Sequence, residues 1–94
     1  MIKLTRLVLD VLKPHQPNSY AFATRLAEVK PGLVVNLMVV EMDEHTHTIQ
    51  LEIVGSDIPL DEIEDAINEL GGSLHSIDEV QVENTTDDSS VGDA

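Results

Sequence analysis

The stretch that most constrains this chain is Arg6 to His15, which reads Arg-Leu-Val-Leu-Asp-Val-Leu-Lys-Pro-His. Leu7, Leu9 and Val11 alternate with Val8, Asp10 and Leu12, so a strand here is apolar on both faces except at Asp10. Such a strand belongs in the middle of a sheet, covered on each side. Pro14 ends it, because proline has no amide hydrogen to give to a ladder. A carboxylate planted among aliphatic neighbours calls for a partner of opposite charge.

Around that strand the remaining elements follow in order. His15-Gln16-Pro17-Asn18-Ser19 reads as a turn, with Asn18 or Ser19 placed to accept from the free amides of a first helical turn. Phe22, Leu26 and Val29 recur at helical spacing with Ala23 in the same stripe, and Pro31-Gly32 stops the helix. Leu33 to Met42 is a second strand, again largely apolar on both faces. Asp43-Glu44-His45 is a hairpin loop, and Thr46 to Val54 alternates cleanly, with Ile49, Leu51 and Ile53 opposed to Thr48, Gln50 and Glu52. Gly55-Ser56-Asp57 breaks the strand. Leu60 to Leu70 then reads as a helix that turns Leu60, Ile63, Ile67 and Leu70 inward, with acids crowding its first turns, and Gly71-Gly72 stops it. Leu74 to Val82 is a last strand whose alternation slips, as a bulge near Ser76 would explain.

The order β-α-β-β-α-β predicts an α+β ferredoxin-like sandwich, with four antiparallel strands in order 4-1-3-2 and two helices on one face. Ninety-four residues make one domain, expected over residues 1–82, with residues 83–94 a disordered acidic tail. The first strand then lies in the centre. Leu7, Leu9 and Val11 meet the helices, while Val8, Asp10 and Leu12 lie on the open face. That face is too apolar to stay wet, and a homo-oligomer formed through it is expected.

Charge limits the partners. Residues 1–30 hold all five Lys and Arg residues against two acids, whereas residues 31–94 hold sixteen acids and no Lys or Arg, for a net charge of −13. In dilute buffer such a surface opposes compaction, but at molar salt the Debye length is only about 3 Å and the penalty fades. A very salty cytoplasm, as in halophilic archaea, accounts for this bias; an acidic protein of an ordinary cytoplasm is the alternative. Either way most of these acids are solvated surface. No nucleic acid is expected, since sheets of this topology that read RNA use exposed aromatics, which no strand here carries, together with basic residues, which are absent after Lys30. The absence of Cys removes disulfides and thiolate sites. No apolar run approaches the roughly 18 residues of a membrane span, and the first residues do not read as a signal peptide, so a cytoplasmic location is expected.

Three motifs, Leu7 to His15, Val39-Val-Glu-Met-Asp43, and Glu69-Leu-Gly-Gly followed by His75-Ser-Ile-Asp-Glu-Val80, resemble an archaeal family of small proteins catalogued as domain of unknown function number 211. The resemblance covers about residues 4–82. It implies a ferredoxin-like fold, oligomeric assembly and a bound divalent cation, calcium favoured over magnesium, and it implies no enzymatic activity. The acids that the resemblance carries over, at strand ends or in the hairpin, are Asp10, Glu41, Asp43, Asp78 and Glu79, the candidate metal ligands. The acidic tail and the scarcity of Lys depart from the family and fit salt adaptation of a shared core.

Chemistry agrees with oxygen ligation, because a hard cation takes six to eight oxygens. In the expected strand order Glu41 and Asp43 reach Asp78 or Glu79 only across a subunit boundary. The plainer reading is that the acids at the hairpin solvate a turn, and that Asp10 pairs with Arg6 or Lys13 of a neighbouring chain. His45 and His47, two apart, would share one side of a strand at a spacing that suits zinc or nickel, but two ligands are few and exposure at a hairpin explains them. His75 beside Ser76 and Asp78 lacks the setting of a hydrolytic triad. A second class of function, a small-molecule sensor with an effector site between paired sheets, rests on fold analogy alone.

Overall fold

The computed structural model describes residues 1–86. The elements are β1 (Ile2–Pro14), α1 (Ser19–Ala27), β2 (Val34–Met42), β3 (Thr46–Val54), α2 (Leu60–Glu69) and β4 (Ser73–Asn84). The strands pair antiparallel in the order β2-β3-β1-β4, the ferredoxin-like arrangement expected from the sequence. The expected tail begins inside a strand. Glu83 and Asn84 pair with Lys3 and Ile2, and the Thr85 amide donates to the Met1 carbonyl (2.8 Å), because β1 starts early enough to offer them a ladder. The rest of the expected tail, residues 87–94, lies outside the described residues.

Alternation along β1 sets both layers. Leu7, Leu9 and Val11 are fully buried and pack with Ile49, Leu51 and Ile53 of β3, Phe22 and Leu26 of α1, and Ile63 and Ile67 of α2. Asn18 caps α1 as expected, its Oδ1 accepting from the Ala21 amide (2.8 Å). Gly71 takes a left-handed φ of +85° just past α2, which a side chain would strain, and the Gly72 amide donates to the Ile67 carbonyl (2.9 Å).

Irregular pairing re-aims three strands. Thr5 is an extra residue on β1 between Leu4 and Arg6, and this turns Leu4 toward the core. On β4 the extra residues are His75 and Asp78, which bracket Ser76 and supply the expected slip in alternation. Val40 is the extra residue of β2.

One expectation about the open face is corrected. Val8 is only 7% exposed within a single chain, and Leu12 is half-buried. The cross-strand partners of Val8 are Glu52 and Glu79, and Arg6 binds both carboxylates, so an ion bridge over three strands shelters it. Exposed apolar surface lies toward the edges instead. Val34, Met38 and Val54 share the open face, and Val40, Met42, Ile77, Val80 and Val82 stand out along β2 and β4.

Leu9 sits at the centre of the core with no exposed surface. Leu9→Ala is therefore expected to lower the unfolding free energy by about 2–5 kcal/mol, read from chemical denaturation at fixed molar KCl.

Candidate functional site

The acids singled out in the sequence lie in separate places. Asp10, half-buried on the open face, is opposite Gln50 on one side and Ser76 on the other. The Ser76 hydroxyl donates to Asp78 (2.7 Å), so a serine stands between these two carboxylates. Glu79 is engaged by the Arg6 Nε (3.0 Å). Glu41 is exposed on β2, opposite Thr48. Two strands separate β2 from β4, which puts these edges roughly 14 Å apart at the usual strand spacing. Among the described residues, no three His, Asp or Glu side chains converge as a metal centre would need.

Asp43 builds the hairpin. Its Oδ1 accepts from the His45 amide (3.1 Å), the Thr46 amide (2.9 Å) and the Thr46 hydroxyl (3.1 Å). Those donors, the Thr46 amide foremost, hold its carboxyl below the usual carboxylate range. Within the chain Arg6 is engaged by Glu52 and Glu79, and the Lys13 ammonium is turned to the carbonyls of Pro14 and His15 on the opposite face of the sheet. The helix layer carries a separate open groove of about 310 Å³ between α1 and α2, crossed by the Arg25–Glu69 ion pair (3.1 Å) and rimmed by Glu28, Glu62 and Asp65.

A second constellation gathers where β1 enters the turn before α1. Lys13 continues the inward series Leu7, Leu9, Val11 and is fully buried. Its stem extends the core, and its Nζ donates to the Pro14 carbonyl (2.7 Å) with the His15 carbonyl at 3.5 Å. The ammonium lies 5.8 Å from the centroid of the Phe22 ring. Burial pushes its proton affinity down. Directly across the ladder is His47, whose two ring nitrogens are buried with no hydrogen-bond partner. The His15 ring packs edge-on against it, centroids 4.5 Å apart, and the His15 Nε2 is 3.3 Å from the Asp43 carbonyl oxygen.

The exposure at the hairpin expected of His45 and His47 holds for His45 alone, since the ring nitrogens of His47 are buried. His45 precedes β3, is exposed and contacts Glu44 (3.4 Å), whereas His47 faces the helices. Strand parity carried the signal for Lys13, which falls in step with Leu7, Leu9 and Val11. No spacing rule could have joined His15 to His47, since only the β1–β3 register brings them together. At His75 the Ser76 hydroxyl is directed to Asp78, as a triad would not require.

Burial first, then the neighbouring His15 and Lys13, hold the His47 imidazole below its ordinary proton affinity, with Asp43 opposing. A folded-state pKa below the unfolded value means that the unfolded chain binds the extra proton first as pH falls. Stability is therefore expected to hold above the unfolded histidine value of about 6.5 and to decline below it. Thermal melts at constant molar KCl between pH 5 and 8 check this. His47→Gln is expected to flatten that decline, and a variant with the same pH profile as the parent would show that His47 is not its source.

Sequence comparisons agree with this architecture. The family described as uncharacterized ArCR, domain of unknown function 211, matches residues 5–89. The uncharacterized protein MJ0319 of Methanocaldococcus jannaschii is 42% identical over 77 residues, covering 82% of this chain and 79% of that protein. Among the described residues no helix is long and apolar enough to cross a membrane. The chain belongs to the archaeal family of domain of unknown function 211.

Proposed function

We propose that this protein is a non-enzymatic, self-associating binder of divalent cations, with carboxylates of neighbouring copies sharing the ion. The observation that carries this reading is the wide separation of Asp10, Asp78 and Glu79 from Glu41 and Asp43 within one chain, on a sheet whose edges expose large apolar side chains. Val34, Met38, Val54, Ile77, Val80 and Val82 are each at least 40% exposed, and exposed apolar side chains gathered along a sheet edge are a common mark of an interaction surface. A second copy of the same chain is the partner that covers them. At −13 per chain, association brings acids together, and a shared divalent cation or concentrated salt offsets the repulsion. Calcium suits the all-oxygen ligand set better than magnesium, which demands stricter geometry. A salty cytoplasm is the setting in which this charge is best tolerated. The rival reading, an effector site between sheets, has no comparable observation behind it.

Light scattering and thermal melts at molar KCl test the proposal. The expected results are a mass that is a multiple of the protomer mass, and a melting temperature raised by calcium and lowered by chelator. Asp10→Asn is expected to weaken the calcium response at least tenfold in midpoint concentration. A monomer with no calcium by elemental analysis and no response to it would overturn the proposal.

A further inference from the structure

Buried polar atoms in folded proteins nearly always have partners, and one that has none points to a ligand or a water. Both ring nitrogens of His47 are in that condition. The neighbouring imidazole belongs to His15, an exposed residue of the turn after β1, so one wall of this small site faces solvent. We infer that His15 and His47 form a two-imidazole site for a late divalent transition ion, nickel or copper, distinct in place and chemistry from the carboxylates of the open face.

Three observations carry it. The first is tautomer. His15 Nε2 lies 3.3 Å from the Asp43 carbonyl oxygen, which accepts only from a protonated nitrogen. Nδ1 of the neutral ring then keeps its lone pair, and a backbone carbonyl holding the other ring nitrogen is the usual arrangement for a metal-binding histidine. The second is isolation. Both ring nitrogens of His47 are buried with no partner in the protein, so the lone pair of that ring is uncommitted.

The third is geometry. An ion about 2.0–2.1 Å from an imidazole nitrogen is about 3.2 Å from the ring centroid. Rings whose centroids are 4.5 Å apart and which turn in place to share an ion subtend roughly 90° there, whereas a tetrahedral angle needs about 5.2 Å. A right angle suits the tetragonal preference of nickel and copper over the tetrahedral preference of zinc. With two protein ligands the other positions are water, and the Lys13 ammonium opposes a dication, so the site is exchangeable.

Nickel titration by calorimetry at pH 7.5, with excess calcium present to occupy oxygen sites, tests the inference on the full chain. One nickel ion per chain is expected, weakened at least tenfold by His15→Gln and by His47→Gln and unchanged by His45→Gln or His75→Gln. Copper bound to the parent is expected to show two nitrogen couplings by electron paramagnetic resonance, reduced to one in His15→Gln. His15 is exposed and its variant is expected to keep the parent circular dichroism, so the test stands even if His47→Gln unfolds. No nickel binding, binding indifferent to His15→Gln, or binding lost with His45→Gln would overturn it.

Discussion

Everything in this fold hangs on β1, a central strand that hydrogen-bonds on both edges and is covered on both faces. Its helix-facing side chains carry the core, and its other face is covered without a second layer. Val8 is sheltered there because Glu52 and Glu79 flank it from the neighbouring strands and Arg6 draws both carboxylates together. Each ion pair in that bridge is partly solvated and worth little alone. Their effect is geometric: three strands are tied by one guanidinium, and an aliphatic side chain is kept from water.

The same strand ends on a lysine where the pattern asks for another aliphatic residue. Lys13 fills the layer with its methylenes and turns its charged end to the carbonyls of Pro14 and His15, so the core runs to the edge of the turn without a cavity-filling apolar side chain. An ammonium with no carboxylate beside it is costly to bury. Its placement sets an ammonium across the ladder from the unpartnered imidazole of His47. The two candidate cation environments thus differ in kind. The open face offers scattered oxygens that one chain does not gather, and the turn after β1 offers two nitrogens already in contact.

Much of this was legible in the residues. Alternation and the β-α-β-β-α-β order led to the sheet, its strand order and the inward sets of both helices, because burial of one face repeats with the period of each element. The slip near Ser76 was visible as broken alternation. The acids in the family motifs were visible too, but not their partners. Asp43 folds back on its own turn and Asp78 takes the Ser76 hydroxyl through local rotamers, whereas Glu79 is held by Arg6 through the β1–β4 register, which no spacing encodes.

The sequence by itself determined the fold class, the central place of β1 and the acid-rich surface, since local periodicity and net charge survive any detail of packing. Only the tertiary structure decided that Val8 is sheltered within one chain and that His47 meets His15 and not His45. These follow from pairing β1 with β3 in one register. That pairing sets neighbours more than thirty residues apart, and a shift of a single residue would send every one of those side chains to the other face.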